Sequence, residues 1–112
     1  MDRWIRLVVI MAAIFALAPA VALGLRSYDG QDYSEDYNTV HNVRICDKES
    51  DGNGAYAKYQ RNGSGSTDRV NDGNGSASGC GSTSYGNKIY RHEACEDIAF
   101  YPDHCDQGWV YP

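Results

Sequence analysis

Four cysteines, Cys46, Cys80, Cys95 and Cys105, fall in a stretch of chain that has little else from which to build a core. From residue 23 onward there are only nine Val, Ile or Leu, against nine Tyr and twelve Gly. So few aliphatic side chains bury little surface, and small domains of this kind need covalent staples. An even cysteine count in a short chain, with no Cys-x-x-Cys pair, reads as a disulfide framework rather than a zinc site. Four cysteines allow three pairings. Cys46–Cys80 with Cys95–Cys105 is favoured because the second pair brackets a short segment. Loop-closure entropy then assigns about 3.8 kcal/mol to the first bridge and about 2.8 kcal/mol to the second.

The N-terminus has the layout of a secretory signal peptide. Arg3 and Arg6 form a positive start, Leu7 to Ala18 is an unbroken apolar run, and Pro19 breaks it. Ala20-Val21-Ala22 then places small residues where a signal peptidase reads them, so cleavage is expected after Ala22. The competing reading is an uncleaved anchor over Leu7 to Leu25, a length that just spans a bilayer. Proline and the Ala-x-Ala site weigh against it. No twin-arginine pair and no cysteine near the cleavage site are present, and no second apolar stretch follows. The expected organisation is a signal peptide over 1–22, an acidic, Tyr-rich flexible leader over 23–39 and a stapled β domain over 40–112. The expected destination is secreted and extracellular, with no membrane contact after cleavage.

Without residues 1–22 the chain keeps 14 acidic and 8 basic side chains. Binding a phosphate backbone or anionic lipid needs clustered Lys and Arg, and no cluster of even three basic residues exists, which argues against nucleic acid.

No segment repeats apolar residues with helical spacing. Period-two alternation appears instead. Val43 and Ile45 share one face of a strand over 40–46, with Asn42 and Arg44 on the other. Ala55, Ala57 and Tyr59 share one face of a second strand over 55–61. Asn62-Gly63 is a hairpin signal. Thr67 to Asn71 reads as a short return strand and Lys88 to Cys95 as a fourth. Trp109-Val110-Tyr111 reads as a short edge strand. The fold class is therefore all-β, a small antiparallel meander, sandwich or partly open barrel, preceded by a signal-peptide helix. Residues 23 to 39 contain Asp, Gly and Ser between Tyr28, Tyr33 and Tyr37. With no aliphatic run, they read as solvated leader.

Three segments carry a resemblance. They are Val43 to Gly54 with its Cys46-Asp47-Lys48-Glu49-Ser50-Asp51-Gly52 core, Asp72-Gly73-Asn74-Gly75-Ser76 running to Gly79-Cys80-Gly81, and Cys95-Glu96-Asp97 with Cys105 and Trp109. Over roughly residues 40 to 110 the chain resembles small exported proteins of actinomycete bacteria. That resemblance implies export, disulfides and bacterial origin. It implies no activity and no catalytic residues.

Asp47-x-Glu49-x-Asp51-Gly52 has oxygen ligands at alternate positions and Gly at the sixth, like the start of a calcium loop. The twelfth position is Lys58, where a bidentate carboxylate belongs, and Asp-Gly-Asn-Gly recurs at 72–75, which favours turn chemistry. Asp47, Glu49 and Asp51 are thus a weak metal candidate, and no cofactor is expected. His41, His92 and His104 each read as surface histidines. His92 and Glu93 are adjacent on a strand and point to opposite faces. A small secreted hydrolase or ribonuclease using His92 or His104 is the enzyme alternative. Phe100, Tyr101, Trp109 and Tyr111 lie in or beside the 95–105 segment and form the candidate binding surface, because aromatic side chains lose little entropy on contact. The functional expectation is a secreted binding or interaction module with no catalytic residues. An inhibitor of an extracellular enzyme is one form, and an extracellular protein or glycan is the partner class. A calcium-stabilised domain is the third alternative.

Overall fold

The computed structural model describes residues 24–73, 77 and 79–112, and the signal-peptide reading of 1–22 lies outside them. The described chain is all-β, with two antiparallel sheets. Strands β1 (Arg26–Asp29), β2 (Asp32–Tyr37), β3 (Asn42–Cys46) and β6 (Gly81–Ser82) form the first sheet, in the order β1-β2-β3-β6. Strands β5 (Asp68–Asn71), β4 (Gly54–Arg61) and β7 (Ile89–Asp97) form the second, with β4 in the middle.

The apolar core is small. Val43, Ile45, Ala55, Ala57, Ile89 and Ala94 form one buried cluster, with Val40, Tyr59 and Val70 packed against it. It draws on both sheets, so these side chains hold the sheets face to face. Alternation along β3 and β4 is the expected one: Val43 and Ile45 point inward, as do Ala55 and Ala57. Tyr56, on the opposite face of β4, is also buried. The Arg69 guanidinium lies 3.6 Å above its ring, and its hydroxyl donates to Asp103.

The reading of 23–39 as flexible leader is corrected by β1 and β2. Arg26 pairs with Glu35 and Asp29 with Asp32 across a two-residue turn, and β2 then runs along β3 from Tyr33↔Cys46 to Tyr37↔Asn42. Gly30 sits in that turn at φ 61°, a conformation that favours glycine at this position of a tight hairpin. Period two is present, but with inverted polarity. Ser27, Asp29, Asp32, Ser34 and Asp36 point inward and are buried. Tyr28, Tyr33 and Tyr37 point outward, where Arg26 covers the Tyr33 ring at 4.1 Å and Arg44 covers Tyr37 at 4.3 Å. Glu35 joins the two arginines, at 2.6 Å from Arg26 and 3.4 Å from Arg44. The hairpin is thus integral to the domain, which begins before residue 40.

The turn from β2 to β3 is left-handed over three consecutive residues, Asn38 (φ 55°), Thr39 (φ 54°) and Val40 (φ 67°). This costs roughly 1–2 kcal/mol per residue outside glycine. Neighbouring groups hold it in place: the Val40 carbonyl accepts from the Ile89 amide at 2.8 Å, and the His41 carbonyl accepts from Arg61 at 2.9 Å.

Both bridges form as expected, Cys46–Cys80 and Cys95–Cys105, spanning 34 and 10 residues. The first ties the end of β3 to the loop before β6. The second closes the segment after β7, where the Glu96 and His104 backbones also exchange two hydrogen bonds, of 2.7 and 3.1 Å. The C-terminal edge expected at 109–111 is reduced to one bridge, between Val110 and His92. We expect replacing Cys46 and Cys80 together by Ala to cost about 4 kcal/mol and the Cys95–Cys105 pair about 3 kcal/mol. Urea denaturation of the two double variants checks this. A Cys46/Cys80 variant as stable as the parent would contradict it.

Candidate functional site

All chain connections that carry unusual chemistry meet at one pole of the domain. The β1–β2 turn, the β3–β4 loop over 47–53 and the segment after β7 all leave their strands at the same end, because Gly54 pairs with Asp97 and Tyr33 with Cys46. Two features share this pole, an aromatic loop tip and a group of carboxylates.

The loop tip is Phe100-Tyr101. Phe100 is 103% exposed at φ 66°, and Tyr101 is also exposed. A hydrogen bond from the Tyr101 amide to the Ile98 carbonyl, 3.2 Å, closes the turn. The four aromatics expected to share one surface do not. Tyr111 stacks edge-on against Tyr90, with centroids 5.5 Å apart, at the start of β7. Trp109 is half-buried under Arg91, whose guanidinium lies 4.0 Å above its ring. These rings lie at the far end of β7 from Phe100, about 20 Å along the strand at ~3.3 Å per residue.

The carboxylates come from three separate places. Asp29 and Asp32 flank the hairpin turn, Asp47, Glu49 and Asp51 come from the β3–β4 loop, and Glu96 comes from β7. Oxygens of Asp32, Glu49 and Glu96 lie within 4.8 Å of one another and could hold a metal ion. Most of these groups have one oxygen fixed by a backbone amide. Lys48 N donates to Asp32 at 2.7 Å, Glu49 N to Asp47 at 3.1 Å, Gln31 N to Glu49 at 2.7 Å and Asp106 N to Asp29 at 3.0 Å. The second oxygens of Asp29, Asp32 and Asp47 are buried without a hydrogen-bond partner. Gly30 keeps the pole compact, since a Cβ there would collide with the Glu49 carboxylate. Burial pushes Glu96 up to about 8, with the carboxyls of Asp32, Asp51 and Asp29 adding to it. Burial also pushes Asp32 up to about 6, against the Lys48 amide and with the help of Asp47.

Sequence reasoning found Asp47, Glu49 and Asp51 but missed Asp29, Asp32 and Glu96, which join them only through strand pairing. Lys58, at the twelfth position of the linear pattern, lies elsewhere and pairs with Glu93 at 2.9 Å. A second group, Glu93, Cys95 and Cys105, offers no metal site because both cysteines are spent in a disulfide.

The reading of His92 as a surface residue is corrected: it is 0% exposed, between the sheets. Its Nδ1 lies 2.7 Å from Ser34 Oγ and its Nε2 3.1 Å from Asp36 Oδ1. In the neutral tautomer that fits both contacts, Nε2–H donates to Asp36 and the serine hydroxyl donates to Nδ1. Serine, histidine and carboxylate in this order share the composition of a nucleophilic triad and none of its access. Ser34 is fully buried, so no substrate reaches its hydroxyl. Burial lowers the His92 pKa, against the opposing pull of Asp36. His41 does not join this group; it stacks on Tyr85 at 4.7 Å. His104 is exposed, with Nδ1 2.6 Å from Asp29.

The fold and site define a disulfide-stapled, two-sheet β domain with an acidic pole. Compared with known proteins, the chain matches no family model, no curated protein and no solved structure.

These groups set the response to pH. Asp32 and Glu96 have folded values above their unfolded ones, so they favour the fold when protonated and cost stability as pH rises toward and through 6 and 8 respectively. His92 has a lowered value, so its cost appears as pH falls below the unfolded histidine value of about 6.5. In buffer with a chelator we expect the melting temperature to fall from pH 6.5 to pH 8, the range in which Glu96 still gives up its proton in the folded state after Asp32 has lost its own. Glu96→Gln should flatten that fall. A melting temperature that climbs from pH 6.5 to pH 8 would contradict this.

Proposed function

We propose that the protein is a secreted binding module whose contact element is the Cys95–Cys105 loop, led by Phe100 and Tyr101. The observation that carries this reading is Phe100, an apolar ring held fully in water at a left-handed backbone position. A non-glycine residue at such a φ costs on the order of 1–3 kcal/mol and persists only where its surroundings fix it. Here the disulfide, the paired Glu96 and His104 backbones and the Tyr56–Asp103 contact fix the base of the loop. A pre-ordered aromatic tip gives up little conformational entropy on binding.

Phenylalanine has no polar handle, so a pocket on an extracellular protein suits Phe100 better than a carbohydrate does. The acidic pole beside it favours a partner with a basic rim, which would speed encounter more than it tightens the complex. Two disulfides fit an oxidising, extracytoplasmic compartment. The signal-like N-terminus and the resemblance to small exported bacterial proteins support secretion.

One contact supports a second reading, a small hydrolase. His104 is oriented by Asp29 through Nδ1 and its side chain is 57% exposed, an arrangement that suits a general base. Turnover of an RNA, peptide or glycan substrate that vanishes in His104→Ala would favour it.

The binding reading is tested by affinity capture from the producer's culture fluid and cell envelope, with the parent, Phe100→Ser and Tyr101→Ser compared. We expect a protein retained by the parent and bound at least tenfold more weakly by the Phe100→Ser variant. Melting temperatures should agree within about 2 °C, since exposed positions contribute little to stability. Equal capture by parent and variants would remove the loop from the interface, and retention on a glycan surface would replace the protein partner.

A further inference from the structure

Six carboxylates meet at a pole where no lysine or arginine among the described residues pairs with Asp32, Asp47, Glu49, Asp51 or Glu96. Elsewhere three acids have a Lys or Arg partner. Glu35 has Arg26 and Arg44, Glu93 has Lys58, and Asp97 has Arg69. The acidic pole is built differently, and we propose that it binds a calcium ion through Asp32, Glu49 and Glu96, with Asp47 closing the inner side of the site.

Geometry gives the first support. Two oxygens bound to one calcium at about 2.4 Å can lie no more than about 4.8 Å apart. Oxygens of Asp32, Glu49 and Glu96 already satisfy that limit. Little rearrangement is needed for all three to reach one ion.

Burial gives the second, independent support. Asp32 is 1% exposed, and its Oδ2 has no hydrogen-bond donor. Asp47 Oδ2, on an equally buried side chain, has none either. The Asp47 and Glu96 carboxyls are neighbours of the Asp32 carboxyl, whose other oxygen is taken by the Lys48 amide. A buried, unpartnered carboxylate oxygen loses its hydration with nothing in return. A cation between the two restores what burial removes. The backbone amides on the opposite oxygens hold the carboxylates in place before the ion arrives.

Ligand chemistry selects the ion. An all-oxygen, carboxylate-rich site contributed by three separate segments suits calcium, which accepts six to eight oxygens in irregular geometry. Magnesium demands a tighter octahedron and keeps its waters, and zinc prefers nitrogen or sulfur. Asp29 and Asp51 surround the primary ligands and add charge. Asp29 also accepts from His104 and the Asp106 amide, so the ion would connect the hairpin turn to the base of the aromatic loop. That last consequence rests on the binding-module reading; the ion site itself does not.

The test uses the mature protein, dialysed against EDTA and then given calcium or magnesium, followed by calorimetric titration and thermal melting. With affinity near the ~0.1 mM typical of extracellular modules, 10 mM calcium should raise the melting temperature by roughly 10 °C. Glu96→Gln and Asp32→Asn should do two opposite things. In EDTA they should melt at or above the parent, because like charges are removed. In calcium they should lose most of the rise, with affinity down at least tenfold. Glu49→Gln, at a less buried ligand, should weaken binding similarly and serves if either of the others fails to fold. A parent melting temperature that is the same within 1 °C in EDTA and in 10 mM calcium overturns the proposal. So does an equal response to magnesium, or calcium binding undiminished in these variants.

Discussion

The domain depends on a polar contact made where an apolar one would be usual. Between the two sheets, His92 of β7 meets Ser34 and Asp36 of β2, with every side chain buried. Ser27 of β1 repeats the device, donating to the Gly108 carbonyl at 2.6 Å and accepting from the Ala94 amide at 3.3 Å. Buried polar groups are costly unless satisfied, and satisfied ones are directional. This half of the interface is therefore specified by hydrogen-bond geometry rather than by volume. The apolar half holds one valine, two isoleucines and three alanines, closed by Val40, Tyr59 and Val70. So small a cluster is enough only with the polar network and two disulfides beside it.

The same hairpin links stability to function. Its inner face runs from the Ser34–His92–Asp36 network at one end to Asp29 and Asp32 at the other. Asp29 takes hold of the segment after β7 through His104 and Asp106, and the Gln107 amide donates to the Tyr28 carbonyl at 3.0 Å. The aromatic tip thus stands on a base made by β1, the Cys95–Cys105 bridge and the carboxylate group together. An ion at the pole and a partner at the tip would act on one connected structure.

Much of this was legible in the sequence where side chains follow the usual polarity. Val43, Ile45, Ala55 and Ala57 alternate as an inward face should, and β3 and β4 lie where that alternation places them. The cysteine spacing led to the correct pairing because a ten-residue separation closes easily. The β1–β2 hairpin was hidden for a definite reason. Its inward positions are Ser and Asp and its outward ones Tyr, so a pattern search for buried apolar residues finds nothing. Gly30-Gln31 between two alternating stretches was the available signal. His92 was misplaced for the same reason, since its partners lie on that unrecognised hairpin. The carboxylate group was half visible, in Asp47, Glu49 and Asp51. Asp32 and Glu96 reach it from 15 or more residues away in sequence, through strand register that local patterns do not encode.

Native-state hydrogen exchange of the β2 amides tests the central claim most directly. Strand β2 lies between β1 and β3, and its inner face carries the inter-sheet network. If that network holds the domain together, these amides exchange only through global unfolding, with the same free energy as the amides of β4 and β7. Exchange of β2 near the rate of an open chain, while β4 and β7 stay protected, would contradict the account and return residues 26–37 to the status of a leader.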